Sequence, residues 1–275
     1  MQTKDKKCDT RCSSKTLYIV GTGPGSIEYM SQRACAVLKS VDVVAGYTTY
    51  IDIIMPLIEG KKIISTGMTK EVDRVRAAVD TVKNGQSCAI VSSGDPGIYA
   101  MSGLAFEICK KEDIKILPPS STDKCTAKNE IVIEVVPGIP ALSSGASLLG
   151  APLTHDFAVI SLSDLLTPWE LIEKRINAAA AADFVIVIYN PKSRKRNWQL
   201  NAAGKIVLKY RDKNTPVGIV RSAMRPEQKV DTILLKDLDT ADVNMQTTVF
   251  IGNSNSFIYH DYIVTPRGYT KKYDI

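Results

Sequence analysis

Histidine is almost missing from this chain: His155 and His260 are the only two among 275 residues. They are too few and too far apart to build an imidazole metal site. No motif pairs a serine with a base, which argues against triad hydrolysis. Long apolar runs are also missing. The longest, Ala178 to Tyr189, is broken by Asp183 and falls short of the ~18 residues that a membrane-spanning helix needs. The opening segment MQTKDKKCDTRC is charged from Lys4 onward and has no apolar core of the secretory kind. A cytoplasmic location without membrane association is therefore expected. The six cysteines are spread thinly, unlike the dense framework of a small secreted domain, so reduced thiols are expected. No repeat of fixed period and no low-complexity tract occurs.

What is present is an ordinary globular composition, 44% apolar and 23% charged with a net charge of +6. A packed core is within reach. The length suggests two domains, preceded by a flexible leader over 1–16. Cys8 and Cys12 form a C-x3-C pair in that leader, but no second pair or nearby histidine completes four ligands, and no metal is expected. The stretch Gly150 to Asp156 lacks periodicity and contains Gly and Pro, which makes it the expected linker between domains at 17–150 and 151–275. Between Leu117 and Glu130 a polar segment reads as a surface insertion.

The first half alternates continuous apolar strands with amphipathic helices. Strands are expected at Leu17 to Val20, Val41 to Ala45, Ser87 to Ser92 and Ile131 to Val136. Helical spacing joins Ile27, Met30, Ala34, Val37 and Leu38, then Val72, Val75, Val79 and Val82 before a stop at Asn84-Gly85, and a further helix runs from Pro140 to Leu149. This α/β pattern predicts a mostly parallel sheet covered on both faces. The second half adds strands at Phe157 to Leu162, Phe184 to Tyr189, Val217 to Arg221, Val230 to Leu235 and Thr247 to Gly252. Helices are expected from Pro168 to Ala182 and near Trp198 to Tyr210. Its short later connections predict a mixed sheet.

Gly21-Thr-Gly-Pro-Gly25 follows the first strand, where glycines would let phosphate approach backbone N–H groups at a helix start. The dinucleotide fingerprint fails. Ser26 stands where the third glycine belongs, Pro24 removes an N–H from the cradle, and no acid ends the second strand at Ala45-Gly46-Tyr47. A phosphate-free nucleoside such as S-adenosylmethionine suits this loop better. A second loop, Ser92-Ser-Gly-Asp-Pro-Gly-Ile-Tyr99, offers close approach at Gly94 and a carboxylate at Asp95, which could equally cap the following helix.

The segments LYIVGTGPGS, STGMTKEV, VSSGDPGIYAMSG, VVPGIPAL, APLTHDFAVISLSDLLTPW, YNPKSRKRNWQL, TPVGIVRSA and VTPRGY resemble the tetrapyrrole methylase superfamily. SLSDLLTPW and YNPKSRKR mark its precorrin-3B C-17 methyltransferase (cobalt-factor III methyltransferase) branch. The resemblance runs from about Leu17 to Tyr269. It implies two α/β domains with S-adenosylmethionine in the cleft between them, S-adenosylhomocysteine as product, and a homodimer. Carried over, the cofactor contacts fall on Pro24, Ser93, Gly94, Asp95, Ile98, Pro140, Ala141, Asn190 and Ala223. Relatives often carry Thr where this chain has Pro140.

The implied reaction is methyl transfer to C-17 of a precorrin-3B or cobalt-factor III macrocycle with ring contraction, in cobalamin synthesis. The residues do not say whether the tetrapyrrole carries cobalt. Its acetate and propionate arms suit the basic cluster Lys192 to Arg196, with Arg194, Lys195 and Arg196 as substrate contacts and Tyr47 as a further one. The same cluster also reads as a solvated face or, followed by Trp198, as a nucleic-acid patch. Tyr47 and Tyr99 also read as packing residues. Asp95, Tyr99, Asp164 and His155 are the candidates for the proton transfers of contraction. Competing functions are another superfamily activity, as in ribosomal RNA methyltransferases or diphthine synthase, and non-catalytic RNA binding; the preferred reading involves no nucleic acid.

Overall fold

The computed structural model describes residues 15–67, 69–120, 127, 129–193 and 196–274. Cys8, Cys12, the leader up to residue 14, Cys125, Arg194 and Lys195 lie outside the described residues. The chain divides into two compact units, one ending at Pro140 and one beginning at Ala141.

The first unit is built on six strands: β1 (Thr16–Gly21), β2 (Val43–Tyr47), β3 (Lys62–Thr66), β4 (Cys88–Ser92), β5 (Lys115–Leu117) and β6 (Glu130–Val136). They form one sheet in the order β3-β2-β4-β1-β6-β5, with every pairing parallel. Because successive strand residues point to opposite faces, a continuous apolar run feeds two cores at once. Leu17, Ile19, Cys88, Ile90, Ile131 and Ile133 pack with α3 (Glu71–Lys83) and α4 (Met101–Lys111). Tyr18, Val20, Ala89, Val91 and Val136 pack on the other face, with α1 (Gln32–Ser40) and α2 (Thr48–Ile58).

Local chemistry moves some boundaries. The helical spacing from Ile27 begins as a 3-10 turn at Ile27–Tyr29, and α1 starts only at Gln32, because the Ser31 hydroxyl accepts from Ala34 N at 3.1 Å and caps it there. In α3, Val75, Val79 and Val82 are buried, but Val72 is 42% exposed. The helix stops as expected at Asn84-Gly85, where Gly85 takes a left-handed φ of 89°. Helix α2 carries Pro56 in its interior, a residue that reads locally as a breaker; neither α2 nor α4 is announced by the spacing pattern.

The second unit opens with α5 (Ala141–Leu149) and a short strand, β7 (Gly150–Ala151). Its main sheet contains β8 (Phe157–Ser161), β9 (Val185–Tyr189), β10 (Pro216–Arg221), β11 (Lys229–Leu234) and β12 (Thr247–Ile251) in the order β11-β10-β12-β9-β8. Only β8 and β9, joined through α6 (Trp169–Ala181), pair in parallel; the other pairings are antiparallel, so the sheet is mixed. One face packs Ile160, Ile188, Ile219 and Ile251 against α6 and α7 (Gln199–Val207). The opposite face packs Val187, Val220 and Phe250 with Leu149 of α5.

This packing corrects the expected domain boundary. A Cβ on Gly145 would stand 2.7 Å from the Phe250 ring, and one on Gly218 would collide with Leu149. The α5 helix therefore belongs to the second unit, and the division follows Pro140 rather than lying at Gly150. Within the expected linker, β7 pairs with β14 (Tyr262–Val264), itself paired with β13 (Phe257–Tyr259). A final short helix, α8, spans Tyr269–Lys272. No helix among the described residues is long and apolar enough to cross a membrane.

Candidate functional site

In the first unit β2 and β3 lie on one side of the β4-β1 pair, and β6 and β5 on the other. Ligands of open parallel sheets bind beyond the strands' C-terminal ends, where the winding changes direction. Those ends belong here to β1, β4 and β6, and their loops are locked backbone to backbone. Thr22 N donates to Ser92 O at 2.9 Å, and Gly23 and Gly94 exchange both bonds, at 3.2 and 2.8 Å. A Cβ on Gly21 would stand 2.7 Å from both Gly138 N and Gly94 O, and one on Gly138 would overlap Gly94 O. The glycines of GTGPG, GDP and VPG thus let three loops touch one another.

Asp95 completes this lock. Its Oδ1 accepts from Gly97 N at 2.8 Å and its Oδ2 from Gly138 N at 3.1 Å. It does not cap α4, which starts later, with Ala100 at the cap position and no side-chain bond there. The helix-cap alternative fails because the carboxylate is turned across the sheet, toward the β6 loop. Ser93, Gly94 and Ile98 are half-buried on the same loop as Asp95, and buried Pro24 follows Gly23. Tyr99 is 56% exposed with φ of 52°, so it is not a buried packing residue. Tyr47, at the end of β2, stacks edge-on with Tyr50 at 5.4 Å.

In the second unit Asn190 follows β9 with φ of 52°, and its Nδ2 donates to Ser161 Oγ at 2.9 Å, at the end of β8. Ala223, after β10, lies between Ser222 and Met224, with φ of 50° and 58°. Non-glycine residues held in the left-handed region cost on the order of 1–3 kcal/mol each and gather at ligand clamps. Pro140 and Ala141 stand at the start of α5, where Leu142 N donates to the Tyr189 hydroxyl at 2.8 Å. Sequence reasoning missed Tyr189; its place directly before Asn190 was the available signal.

Asp164 Oδ2 accepts from Gln199 Nε2 at 2.9 Å. Arg196 is 7% exposed, and its Nε and Nη1 are buried without hydrogen-bond partners. Burial pushes its pKa below the ordinary value, and the charge of Asp164 opposes this. His155 is not drawn into that group: its Nδ1 accepts from the neighbouring Asp156 N at 2.8 Å. The buried Arg196 does not belong to a solvated basic face.

The model of the tetrapyrrole (corrin/porphyrin) methylases matches residues 16–239. The chain belongs to this family. It is 48% identical over 259 residues to the cobalt-factor III methyltransferase of Priestia megaterium, covering 94% of this chain but only 46% of that one. Against the probable cobalt-factor III C(17)-methyltransferase of Salmonella typhimurium it is 41% identical, covering 92% of this chain and 99% of that one. Among solved structures, the methyltransferase CobJ superposes with a TM-score of 0.80 at 31% identity, covering 92% of this chain and 100% of that one. The two-unit α/β architecture expected from the resemblance is thus the fold of a tetrapyrrole methylase.

Proposed function

We propose that this chain transfers a methyl group from S-adenosylmethionine to C-17 of a precorrin-3B or cobalt-factor III macrocycle and takes part in the accompanying ring contraction. The observation carrying this reading is the near end-to-end match to the Salmonella relative. SLSDLLTPW runs from the last residue of β8 to the first of α6, and YNPKSRKR begins at the last residue of β9 and contains Asn190 and Arg196. A homodimer in the cytoplasm goes with this reading on the family resemblance.

The loop chemistry fits the cofactor. Phosphate would be favoured by a cradle of free N–H groups, but here Thr22 N, Gly23 N, Gly94 N, Gly97 N and Gly138 N already have acceptors within the first unit, and Pro24 has no N–H. A neutral nucleoside with an amino-acid tail suits such a surface. On the family resemblance its contacts are Pro24, Ser93, Gly94, Asp95, Ile98, Pro140, Ala141, Asn190 and Ala223.

When bound, the sulfonium provides an electrophilic methyl whose leaving group departs neutral. The protein's task is then mainly alignment, and holding reactants in attack geometry can supply roughly 7 to 11 kcal/mol. Loops welded at Gly21, Gly94 and Gly138 give that rigidity. Asp95 serves as a loop clamp, since both its oxygens already accept backbone N–H groups. This leaves Asp164, Tyr99 and His155 as candidates for moving the contraction's protons, and Tyr47 with Arg194, Lys195 and Arg196 as substrate contacts.

The test is incubation of the protein with isotopically labelled S-adenosylmethionine and with cobalt-loaded or metal-free precorrin-3-level tetrapyrrole, followed by product mass. Gain of one labelled methyl on either substrate is expected, and the favoured substrate identifies the metal state. Absence of transfer to both overturns the reading.

A further inference from the structure

Three arginines are buried in the described residues, and they use their donors differently. Arg74 donates through Nε to Thr66 Oγ1 at 2.8 Å and through Nη2 to Gly67 O at 3.2 Å. Arg211 gives Nη1 to Ala180 O at 2.6 Å and Nη2 to Phe184 O at 3.2 Å, and its Nη1 also pairs with Asp183 at 3.1 Å. Both are tied to backbone carbonyls, and although Arg211 Nε is also buried without a partner, both of its terminal nitrogens are bonded. Arg196 makes no such tie through Nε or Nη1, which are buried and unmatched.

Its surroundings do not repair the deficit. The acid nearest in charge, Asp164, spends Oδ2 on Gln199 Nε2 at 2.9 Å, and no ion pair to Arg196 forms among the described residues. The backbone around it is held: Ser193 N donates to Arg196 O at 2.7 Å and Arg196 N to Ser193 O at 3.3 Å. An arginine has five N–H donors and no acceptor, and burying such donors unmatched costs the protein stability. A fixed, dehydrated guanidinium with idle donors is complementary to one chemical class, a planar oxyanion.

The geometry points to Arg196 as a carboxylate-binding residue that holds an acetate or propionate arm of the tetrapyrrole. This deepens the reading given under Proposed function and rests on it. It separates Arg196 from the rest of the basic run and makes a prediction with two signs. An arginine kept for a ligand weakens the ligand-free protein, so an apolar residue of similar length should stabilise it. A structural arginine would do the reverse.

The test uses the full chain and uroporphyrin III, a fluorescent tetrapyrrole bearing both kinds of arm, with affinity read by fluorescence titration. Arg196→Met should raise the melting temperature of the ligand-free protein and weaken uroporphyrin binding by about tenfold or more, the loss expected for a charge-assisted hydrogen bond. Arg196→Lys, which keeps the charge without the planar fork, should bind with intermediate affinity. Calorimetric affinity for S-adenosylhomocysteine should stay unchanged in both. A lowered or lost melting transition in Arg196→Met, an unaltered uroporphyrin affinity, or no saturable binding by the unmodified chain each overturns the assignment. Failure of the unmodified chain to bind S-adenosylhomocysteine would instead remove the methylase reading beneath it.

Discussion

Asp95 and Gly138 are joined by a hydrogen bond of 3.1 Å from the glycine N–H to the aspartate Oδ2, which ties the loop after β4 to the loop after β6. The other oxygen, Oδ1, holds the aspartate's own loop through Gly97 N at 2.8 Å. The carboxylate of the GDP motif is thus a clamp between two strand ends.

Asp95→Ala should therefore strand two N–H donors and destabilise the protein by about 1–3 kcal/mol. Cofactor affinity should fall with it, because the loops lose their common anchor. Asp95→Asn should be milder, since Oδ1 can still serve Gly97. Thermal melts with S-adenosylhomocysteine calorimetry check this; an alanine variant melting like the parent would dismiss the clamp.

Gly138→Ala would place a methyl group against Gly94 O and 2.9 Å from Gly21 C. Overpacking at backbone that cannot give way should cost roughly 1–3 kcal/mol. Gly60→Ala tests the other cause of a glycine requirement: nothing lies within 4 Å, but φ is 75°, so any loss there is conformational. Equilibrium denaturation of the two variants, with a clear effect on cofactor binding only for Gly138→Ala, is the expected outcome.

Arg211→Met should behave oppositely to Arg196→Met. Removing Arg211 takes a charged donor from the Ala180 and Phe184 carbonyls, and although Ala180 O keeps the Asp183 N–H, a loss of about 1–3 kcal/mol is expected. The Asp183 pairing adds little, because Asp183 is 38% exposed. Denaturant midpoints measured side by side would discredit the donor-counting argument if both variants moved the same way.

Burial pushes the Cys88 thiol from its ordinary 9.0 up to about 12. Burial, aided by Glu112 and opposed by Lys83, takes Cys109 from 9.0 to about 11. Folding therefore favours the protonated thiols, and their contribution is intact below pH 9.0. It is lost as pH climbs through about 11 and about 12, since the unfolded chain releases those protons first. Melting temperature should drop across that alkaline window, less steeply in Cys88→Ala. Iodoacetamide should leave both thiols unmodified at neutral pH until the chain unfolds.

The amino-acid sequence alone determined the elements whose signal is local. Continuous apolar runs at Leu17, Val41, Ser87 and Ile131 marked the central parallel strands, and Pro24 with Ser26 turned the first loop away from phosphate. Tertiary structure decided what depends on residues distant along the chain. Gly21, Gly94 and Gly138 meet only because β4, β1 and β6 are neighbours in the sheet. Asp95 reads equally as a helix cap or a ligand contact until Gly138 is seen beside it, and α5 joins the second unit through Phe250. Arg196 reads as a substrate contact, a solvated charge or part of a nucleic-acid patch until the fold buries it. A spacing pattern reports which side of its own element a residue occupies, whereas burial and hydrogen-bond partners are set by the elements packed against it.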